Sequence, residues 1–427
     1  MTYSVRAARA ARAARAARAT TGASASAVVA VLMMTTLPTA HAAPQTPATV
    51  RLSVAADGTQ ADADAGGAVI SRDGRVAAFV SRASNLVPGD QPGSQDIFVR
   101  QLRTGSLQRV ALAGHVLSTP SLSRTGRLIA YTAYANDTGL RSAYVQDLRT
   151  GAVERLAAPP EDDFAAGEAF TPVLTAGGRH VAFVVRRPTG STADEKSRVY
   201  VRDRVTGTTE WVSRPDTEPE EYGAGSPAIS DDGQRVAYTF GRIIPKGPEV
   251  GHVLLLDRAA GTEQIVDVAY DGTTPLRVLS RPSISGDGRR VLFEKFNSGP
   301  VTSDDGLSNM FVRDVEAGTT IAIPGNPDRP GTRGGQLSAD GRHVAYEMGA
   351  DDPASELGWA WPVVVLDLRT GESRRVSSGT DGGPAFGSIE RGAVSGDGRV
   401  VVFSSIDTDL VAEDTNEVSD VFANRVR

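Results

Sequence analysis

Apolar residues along the chain fall in short runs that alternate with polar residues, and seven of these runs are copies of one pattern. Each copy has a polar turn containing glycine, followed by a strand of apolar residues. Asp-Gly between apolar runs is typical of a β-hairpin because both residues tolerate a positive φ. The copies align without a gap as SRDGRVAAFV, SRTGRLIAYT, TAGGRHVAFV, SDDGQRVAYT, SGDGRRVLFE, SADGRHVAYE and SGDGRVVVFS.

The strand that follows each turn, strand b, is predicted to be buried on both faces. The third and fifth residues after the glycine are apolar, and side chains two positions apart share a face of a sheet. The residue between them is alanine, leucine or valine, so the opposite face is apolar too. The fifth position is always aromatic, as Phe79, Tyr131, Phe183, Tyr238, Phe293, Tyr346 and Phe403.

A second pattern follows each hairpin and predicts two more strands, c and d. It reads DIFVRQLRTG, SAYVQDLRTG, RVYVRDRVTG, HVLLLDRAAG, NMFVRDVEAG and VVVLDLRTG, each followed by a further short strand. The seventh copy, SDVFANRVR, ends at Arg427 before any strand d. The segment TVRLSVA at residues 49–55 has the strand d pattern and no strand c before it. We therefore expect the N-terminal strand to complete the last unit.

These repeats predict an all-β fold, a seven-bladed β-propeller of four-stranded antiparallel blades whose ring is closed by the N-terminal strand. Ring closure removes the unpaired strand edges that an open array would leave. The turn glycines, from Gly74 to Gly398, are 52 to 57 residues apart. A ring of six blades plus an extra repeat remains an alternative.

The N-terminus is predicted to be a secretory signal peptide over residues 1–42, with the propeller domain over residues 43–427. Five arginines without any acid precede an apolar stretch and the small-residue site Ala40-His41-Ala42. An amphipathic arm that binds nucleic acid or membrane is the alternative interpretation of this segment. We expect a secreted protein, extracellular or associated with the cell wall.

Charge and composition then exclude several classes of protein. The full chain has 45 basic and 51 acidic side chains, and removal of five arginines leaves 40 against 51, a net charge of about −11. A nucleic-acid partner is therefore not expected. The mature chain has no apolar run long enough to span a membrane, and the absence of cysteine excludes disulfides and thiolate sites. We expect a monomer.

The units SxSxDGRxVAF and DxFVRDLxTG resemble the TolB-like β-propeller repeat, a relative of the WD repeat. The resemblance covers essentially the whole mature chain and implies the propeller fold. TolB-like proteins include periplasmic scaffolds, propellers attached to serine peptidases and some glycan-processing enzymes. Here no α/β domain is expected ahead of the propeller, and no G-x-S-x-G nucleophile motif occurs. A role in the Tol system or as a serine peptidase is therefore not expected.

The connections between strands are predicted to differ at the two rims of the ring. The a–b and c–d turns are short and uniform and lie on one rim, the tight-turn rim. The d–a and b–c connections are long and dissimilar and lie on the other, the loop-rich rim. Variable loops on a rigid frame are the usual place for binding, so we assign the binding face to the loop-rich rim.

Two d–a loops of this rim are rich in acids, with Arg214 as the one base opposing them. We interpret them either as solvated acidic loops or as an electronegative patch for a basic partner or for calcium. The acids are Glu161, Asp162, Asp163, Glu168, Asp216, Glu218, Glu220 and Glu221.

Two b–c loops, NLVPGDQPGSQDIF in blade one and DLVAEDTNEVSDVF in blade seven, align residue for residue. Their carboxylates are suitable calcium ligands, although Asx turns that hold the loops explain the same residues. No cofactor other than this calcium is expected. The candidate ligands are Asp90, Asp96, Asp409, Asp414 and Asp420.

Aromatic residues also occur in the loops of this rim, where they either bind sugars and peptides or cap the core. Trp359 and Phe386 are the candidates for ligand contact; the others are Phe164, Phe170, Tyr222, Tyr270 and Trp361. The five aspartates that end strand c are expected to cap the c–d turn: Asp147, Asp203, Asp257, Asp314 and Asp367.

The histidines do not suggest a catalytic site. His180 and His343 share one repeat position and are expected at the surface, His252 begins a strand, and His115 lies in a loop. The sequence therefore predicts a non-catalytic module that binds a protein or peptide at the loop-rich rim or the channel mouth. The alternatives are a glycan-active lyase or hydrolase and a carbohydrate-binding propeller. Three or more ionisable side chains from different blades in one pocket would favour the enzyme.

Overall fold

The computed structural model describes residues 49–90, 92–187, 196–213, 222–242, 250–268, 281–294, 310–326, 328, 331–352 and 358–426. The signal peptide predicted for residues 1–42 lies outside these residues. The described chain forms seven four-stranded antiparallel blades around a central channel, so the seven-bladed prediction is confirmed and the six-bladed alternative is wrong. The described part contains no helix that is long and apolar enough to cross a membrane.

The blades are meanders in which strand a lines the channel and strand d lies outermost. Blade one contains β2 (Ala65–Ile70), β3 (Val76–Ser81), β4 (Asp96–Gln101) and β5 (Leu107–Val110). Blade two contains β6 (His115–Leu122), β7 (Leu128–Ala135), β8 (Arg141–Asp147) and β9 (Val153–Leu156). Blade three contains β10 (Glu168–Leu174), β11 (His180–Arg187), β12 (Lys196–Asp203) and β13 (Thr208–Trp211). Blade four contains β14 (Tyr222–Ile229), β15 (Arg235–Arg242), β16 (Val250–Asp257) and β17 (Thr262–Ile265).

The remaining blades follow the same order with two variations. Blade five contains β18 (Ser283–Ile284), β19 (Arg290–Glu294), β20 (Met310–Asp314) and β21 (Thr319–Ala322). Blade six contains β22 (Thr332–Leu337), β23 (His343–Met348), β26 (Val363–Asp367) and β27 (Ser373–Arg375), and its b–c loop carries the small hairpin β24 (Ala350–Asp351) and β25 (Trp359–Ala360). Blade seven contains β28 (Val400–Ser405) and β29 (Asp420–Arg425), with strand a held by bridges from Ser388 and Val394 to β28.

The N-terminal strand closes the ring as predicted. Strand β1 (Thr49–Arg51) pairs antiparallel with β29, placing Thr49 opposite Asn424 and Arg51 opposite Phe422. Blade seven therefore receives its outermost strand from the other end of the chain. This pairing joins the first and last blades without a new unpaired edge.

The core lies between adjacent blades and within each blade, as the repeat columns predict. Every aromatic residue of the strand b column is fully buried. In five blades it stacks on an aromatic residue of strand c, with ring centroids 5.6 to 5.9 Å apart. Such pairs contribute about 0.5–1.5 kcal/mol each beyond the area they bury. The pairs are Phe79–Phe98, Tyr131–Tyr144, Phe183–Tyr200, Phe293–Phe311 and Phe403–Phe422.

The a–b turn is built by a serine that bridges its two strands. In blade one, Ser71 Oγ donates to Asp73 Oδ1 at 2.6 Å and accepts from the backbone N of Val76 at 3.0 Å. The turn glycine has positive φ and packs on the preceding blade, since a Cβ on Gly178 would lie 2.3 Å from Leu128 Cδ1. Glycine is therefore needed there both for conformation and for space.

The aspartates at the end of strand c cap the c–d turn, which confirms their predicted structural role. Asp147 Oδ1 accepts from the backbone N of Arg149 and Thr150 at 2.9 and 3.2 Å. Its other oxygen accepts from Arg127 Nη2 at 2.7 Å, and this hydrogen bond lowers the pKa of Asp147 to about 2. Asp203 and Asp367 make the same contacts in their blades.

Backbone hydrogen bonds join neighbouring blades at the tight-turn rim. They link six pairs of adjacent blades with N···O distances of 2.7 to 3.0 Å. The donor and acceptor residues are Asp73 and Arg124, Arg124 and Ala176, Asp231 and Gly286, Gly286 and Ala339, Asp340 and Gly396, and Gly396 and Arg72.

Candidate functional site: the central channel

The innermost strands of five blades contain a β-bulge that shapes the channel wall. The register shifts within β2, β6, β10, β14 and β22. The residue four positions before the Ser or Thr of each a–b turn falls at this level, and we call these seven positions the channel ring. They are Gly67, Thr119, Thr171, Ser226, Arg281, Gly334 and Arg391.

Two ring residues, Thr171 and Ser226, have a backbone conformation that is unfavourable for any residue with a side chain. Gly67 and Gly334 have positive φ at the same position, which glycine adopts without cost. Thr171 and Ser226 adopt the same region with φ of 47° and 48°. A residue other than glycine in this conformation costs on the order of 1 kcal/mol, and such residues cluster at functional sites.

The channel encloses a cavity of about 400 Å³ lined by strand a residues of all seven blades. Most of its wall is aliphatic or proline, for example Val69, Pro120 and Leu174. Hydroxyl groups are interspersed, including those of Ser118 and Ser226. The charged residues of the described wall are Arg72, Arg281, Glu390 and Arg391. The wall therefore carries more positive than negative charge.

At the tight-turn rim the cavity ends in a salt bridge between opposite blades. Arg72 of blade one places Nη2 3.0 Å from Asp231 Oδ1 of blade four. Arg124 Nη2 lies 4.0 Å from the other oxygen of Asp231. Two guanidinium groups share one carboxylate, so this end remains positive.

At the loop-rich rim the cavity reaches solvent beside a second ion pair. Arg281 Nη1 lies 3.2 Å from Glu390 Oε2, and their side chains are 66 % and 47 % exposed. Arg391, the next residue, extends to blade four and donates from Nη1 to the backbone oxygen of Pro227. Burial, with a contribution from the nearby Arg281 charge, lowers the pKa of Arg391 to about 10. Among the described residues no carboxylate pairs with Arg391.

The four described histidines do not line this channel. His180 is buried beneath Gly233 of the next blade, and His343 lies beneath Gly398 in the same way. The prediction that His180 is a surface residue is therefore wrong; both histidines pack between blades. His252 Nδ1 lies 3.0 Å from Asp267 Oδ2, and His115 Nδ1 lies 2.9 Å from the Ala113 carbonyl.

The acidic loop of blade three is neutralised by arginines from neighbouring strands. Asp162 and Asp163 both accept from Arg198 Nη1, at 2.9 and 2.6 Å, and Asp163 also accepts from Arg187. The expectation that Arg214 is the one opposing base is therefore wrong. The physical reason is that strands β11 and β12 place Arg187 and Arg198 beside this loop, although these arginines are distant from it in sequence.

The other predicted acids divide between described and undescribed segments. Glu168 begins β10 and accepts from Arg141 Nε at 2.8 Å, whereas Glu161 is exposed. The rest of the predicted patch, namely Asp216, Glu218, Glu220 and Glu221, lies outside the described residues, as does Arg214. The described acids alone do not form an unpaired negative surface.

The predicted calcium ligands of blades one and seven contact arginines at equivalent positions of strand d. Arg109 binds Asp90 and Asp96 at 3.2 and 2.7 Å. The corresponding arginine of β1 is Arg51, which lies 2.9 Å from Asp414 and 3.6 Å from Asp420. Asp409 lies apart from these groups, near Gly379. Within the described residues no three His, Asp or Glu side chains are grouped to hold a metal, so calcium stays a prediction.

Two of the predicted rim aromatics meet between blades six and seven. The Trp359 ring lies 6.0 Å from Phe386 and 6.3 Å from Trp361, and Arg333 covers the Trp361 ring at 4.3 Å. Phe164 is buried beneath Arg198, which makes it a cap of the core. Phe170 belongs to β10 and Tyr222 to β14, while Tyr270 lies outside the described residues.

Two glutamates at the ends of adjacent b strands form a buried pair that the sequence did not indicate. Glu347 Oε2 accepts from Arg333 Nε at 2.6 Å, and its Oε1 accepts from the backbone N of Ile389 at 3.1 Å. Glu294 accepts a hydrogen bond from the backbone of Gly334. Burial raises the pKa of Glu294 to about 7, with a smaller contribution from the charge of Glu347.

Solved structures similar to this chain are propellers of several kinds. An oligogalacturonate lyase in complex with manganese aligns with a TM-score of 0.57 at 14% identity over 89% of this chain and 93% of that chain. The propeller domain of the Trilobed protease from Pyrococcus furiosus aligns at 0.51 and 12% identity over 84% and 95% of the two chains. TolB from Acinetobacter baumannii aligns at 0.41 and 14% identity over 78% and 76%.

The first two of these alignments support the propeller fold. No protein-family model matches the chain, and no curated protein matches its sequence. Manganese, which the lyase neighbour holds, does not fit the described channel of this chain. Three of the four charged groups of the wall are guanidinium groups, and the remaining carboxylate is paired with Arg281. A cation would be repelled there.

Proposed function

We propose that this protein is a secreted, non-catalytic β-propeller that binds a protein or peptide through its loop-rich rim and the mouth of its channel. The observation that carries the proposal is the asymmetry of the channel. A salt bridge between blades one and four spans it at the tight-turn rim, where backbone hydrogen bonds also join neighbouring blades. At the loop-rich rim the wall reaches solvent at Arg281 and Glu390.

The chemistry of the described channel wall favours binding over catalysis. Ionisable groups from several blades do converge on the cavity, which was the feature expected of an enzyme. Three of them are arginines, which remain protonated and transfer no proton at neutral pH. The one carboxylate, Glu390, is held by Arg281 at 3.2 Å. This set binds anions rather than moving protons.

A glycan-active enzyme or carbohydrate-binding propeller is the second candidate. The aromatic contact between Trp359 and Phe386 favours it, because aromatic rings stack on sugars. The buried Glu294 and Glu347 supply carboxyl groups, but the backbone of Gly334 and Ile389 and the side chain of Arg333 hold them. These contacts suit a structural link between blades.

The proposal is tested by blocking the channel mouth with a bulky side chain. Ser118 lines the cavity in β6, so Ser118→Trp fills it. Val205, 75 % exposed at the tight-turn rim, gives the matched control Val205→Trp. Immobilised mature chains are exposed to native culture supernatant, and retained proteins are quantified by mass spectrometry. We expect wild type and Val205→Trp to retain the same partner and Ser118→Trp to lose it.

Two results would contradict this function. Retention of the same partner by a folded Ser118→Trp variant, with unchanged circular dichroism, places binding outside the channel mouth. Formation of unsaturated product from polygalacturonate, followed by ultraviolet absorbance, replaces the binding proposal with a lyase.

A further inference from the structure

We infer that the channel receives the C-terminal end of an aliphatic peptide and binds its terminal carboxylate at Arg391. This inference rests on the proposed function and names the part of the partner that enters the cavity. It is carried by the shape of the cavity, its charge and the side chains of the channel ring.

The shape of the cavity selects a chain end. The cavity of about 400 Å³ is spanned at the tight-turn rim by the Arg72–Asp231 salt bridge, so we propose entry from the loop-rich rim. A loop inserted there needs room for two antiparallel segments about 4.8 Å apart, together with their side chains. A single terminus needs room for one segment. A chain end is therefore the better fit.

The charge of the cavity decides which end of a peptide enters. Arg391 lies in the wall; the carboxylate whose charge acts on it is Glu390, which forms its ion pair with Arg281, and Arg72 shares Asp231 with Arg124. A carboxylate accepts two parallel hydrogen bonds from a guanidinium group, which is the strongest pairing available here. The ammonium group of an N-terminus is repelled by the same side chains. The C-terminus is therefore favoured.

The rest of the wall matches the body of a peptide. Aliphatic side chains such as Ile229 and Leu337 suit apolar residues, and no aromatic residue of the described wall offers a stacking surface for a sugar ring. Thr171 Oγ1 is buried and has no hydrogen-bond partner among the described residues, although the backbone N of Thr171 donates to Thr132. Because this hydroxyl is buried, contact with a peptide amide requires it to turn toward the channel.

The strain at Thr171 and Ser226 supports a binding role for their side chains. Gly67 and Gly334 occupy the same ring position in other blades with the same sign of φ, so the bulge forms without a side chain. Keeping a hydroxyl residue there costs stability. A hydroxyl that contacts the ligand explains why the strained residue is present.

The first test compares a peptide acid with its amide. A fluorescein-labelled pool of pentapeptides ending in Leu, Ile or Val is prepared with free C-termini and, separately, with C-terminal amides. Fluorescence anisotropy with the mature wild-type chain should show binding of the acid pool at least about tenfold tighter than that of the amide pool, because a charged hydrogen bond is lost. Equal affinity of the two pools overturns the inference. Displacement of the acid pool by oligogalacturonate at lower concentrations than by unlabelled peptide acid assigns the site to a uronate and also overturns it.

The second test uses variants of the ring. Arg391→Lys keeps the positive charge but removes the paired donors, and we expect it to weaken the acid pool about tenfold while leaving the amide pool unchanged. Thr171→Gly and Ser226→Gly relieve backbone strain, so they should unfold at the same or a higher temperature and yet bind the acid pool more weakly. Arg399→Gln, whose side chain is 81 % exposed at the tight-turn rim, is the control and should bind as wild type does.

The outcomes separate this inference from the function on which it rests. If Ser118→Trp loses the native partner but acid and amide pools bind equally, the channel binds a protein by another group and the C-terminal inference is wrong. If the glycine variants are more stable and bind with unchanged affinity, Thr171 and Ser226 do not contact the ligand. If Ser118→Trp retains the partner, the proposed function itself fails.

Discussion

At the scale of single residues, the side chains that matter most are charged groups whose partners are distant in sequence. Asp162 meets Arg198, which lies 36 positions away, and Glu390 meets Arg281 across the channel. Sequence reasoning predicted the caps at Asp147 and its equivalents because they recur in five of the copies and act locally. It could not predict these ion pairs, because the first depends on how a loop folds back on its own blade and the second joins two blades of the ring.

Glu294 provides a prediction at this scale. Its pKa is raised from 4.5 to about 7 by burial, so the folded protein holds this proton more tightly than the unfolded chain. The stabilisation from this bound proton is complete below the pKa of Glu294 in the unfolded chain, and it is lost as pH rises through about 7. We expect the free energy of unfolding of the wild type to fall by up to about 3 kcal/mol between pH 5 and pH 8 because of this group, and we expect Glu294→Gln to lack this fall.

The measurement is the free energy of unfolding from urea titrations at the two pH values. Glu372, exposed in the c–d turn of blade six, gives the control Glu372→Gln, which should keep the pH dependence of wild type. An identical pH dependence for wild type and Glu294→Gln would show that this carboxyl does not titrate as its burial requires.

At the scale of elements, the repeat pattern predicted the four-stranded blades and the pairing of the N-terminal strand with the last one. Strand a of blade seven is irregular, since it pairs with β28 through isolated bridges at Ser388 and Val394. The bulges of strand a were missed because they break the regular alternation on which strand prediction depends. The channel ring is nevertheless recognisable in the aligned repeats, because the position four residues before the turn Ser or Thr holds only glycine, serine, threonine or arginine.

The closing strand supports a second prediction. Arg51 of β1 is 7 % exposed and contacts Asp414 and Asp420, which are nearly buried. Arg51→Gln leaves two buried carboxylates without their cation, and removing one partner of such a group costs about 3–5 kcal/mol. We expect this loss in chemical denaturation.

Arg109→Gln is the matched variant because Arg109 holds the equivalent aspartates of blade one. Its side chain is 23 % exposed, so water replaces part of the lost contact. It also lies within a blade formed by continuous chain. We expect a smaller destabilisation than for Arg51→Gln, and an equal or larger one would mean that ring closure does not depend on the Arg51 contacts.

At the scale of the whole molecule, the sequence predicted the ring and the difference between its rims, but not the contents of the channel. Arg72, Arg281 and Arg391 come from blades one, five and seven and face one cavity only because the ring brings their strands together. The acidic loops suggested a negative binding face. The described structure instead places a positive cavity at the centre of that face, with the described acids of blade three largely paired.

The proposed function requires that the partner enters the central channel. Amide hydrogen exchange of the wild-type chain, with and without the partner that it retains, measures this directly for every blade. We predict slower exchange in the strand a segments around Ser226, Arg281 and Arg391, with the loop at 161–163 unchanged. Slower exchange confined to that acidic loop or to the aromatic contact of Trp359 and Phe386, with strand a unaffected, would contradict it.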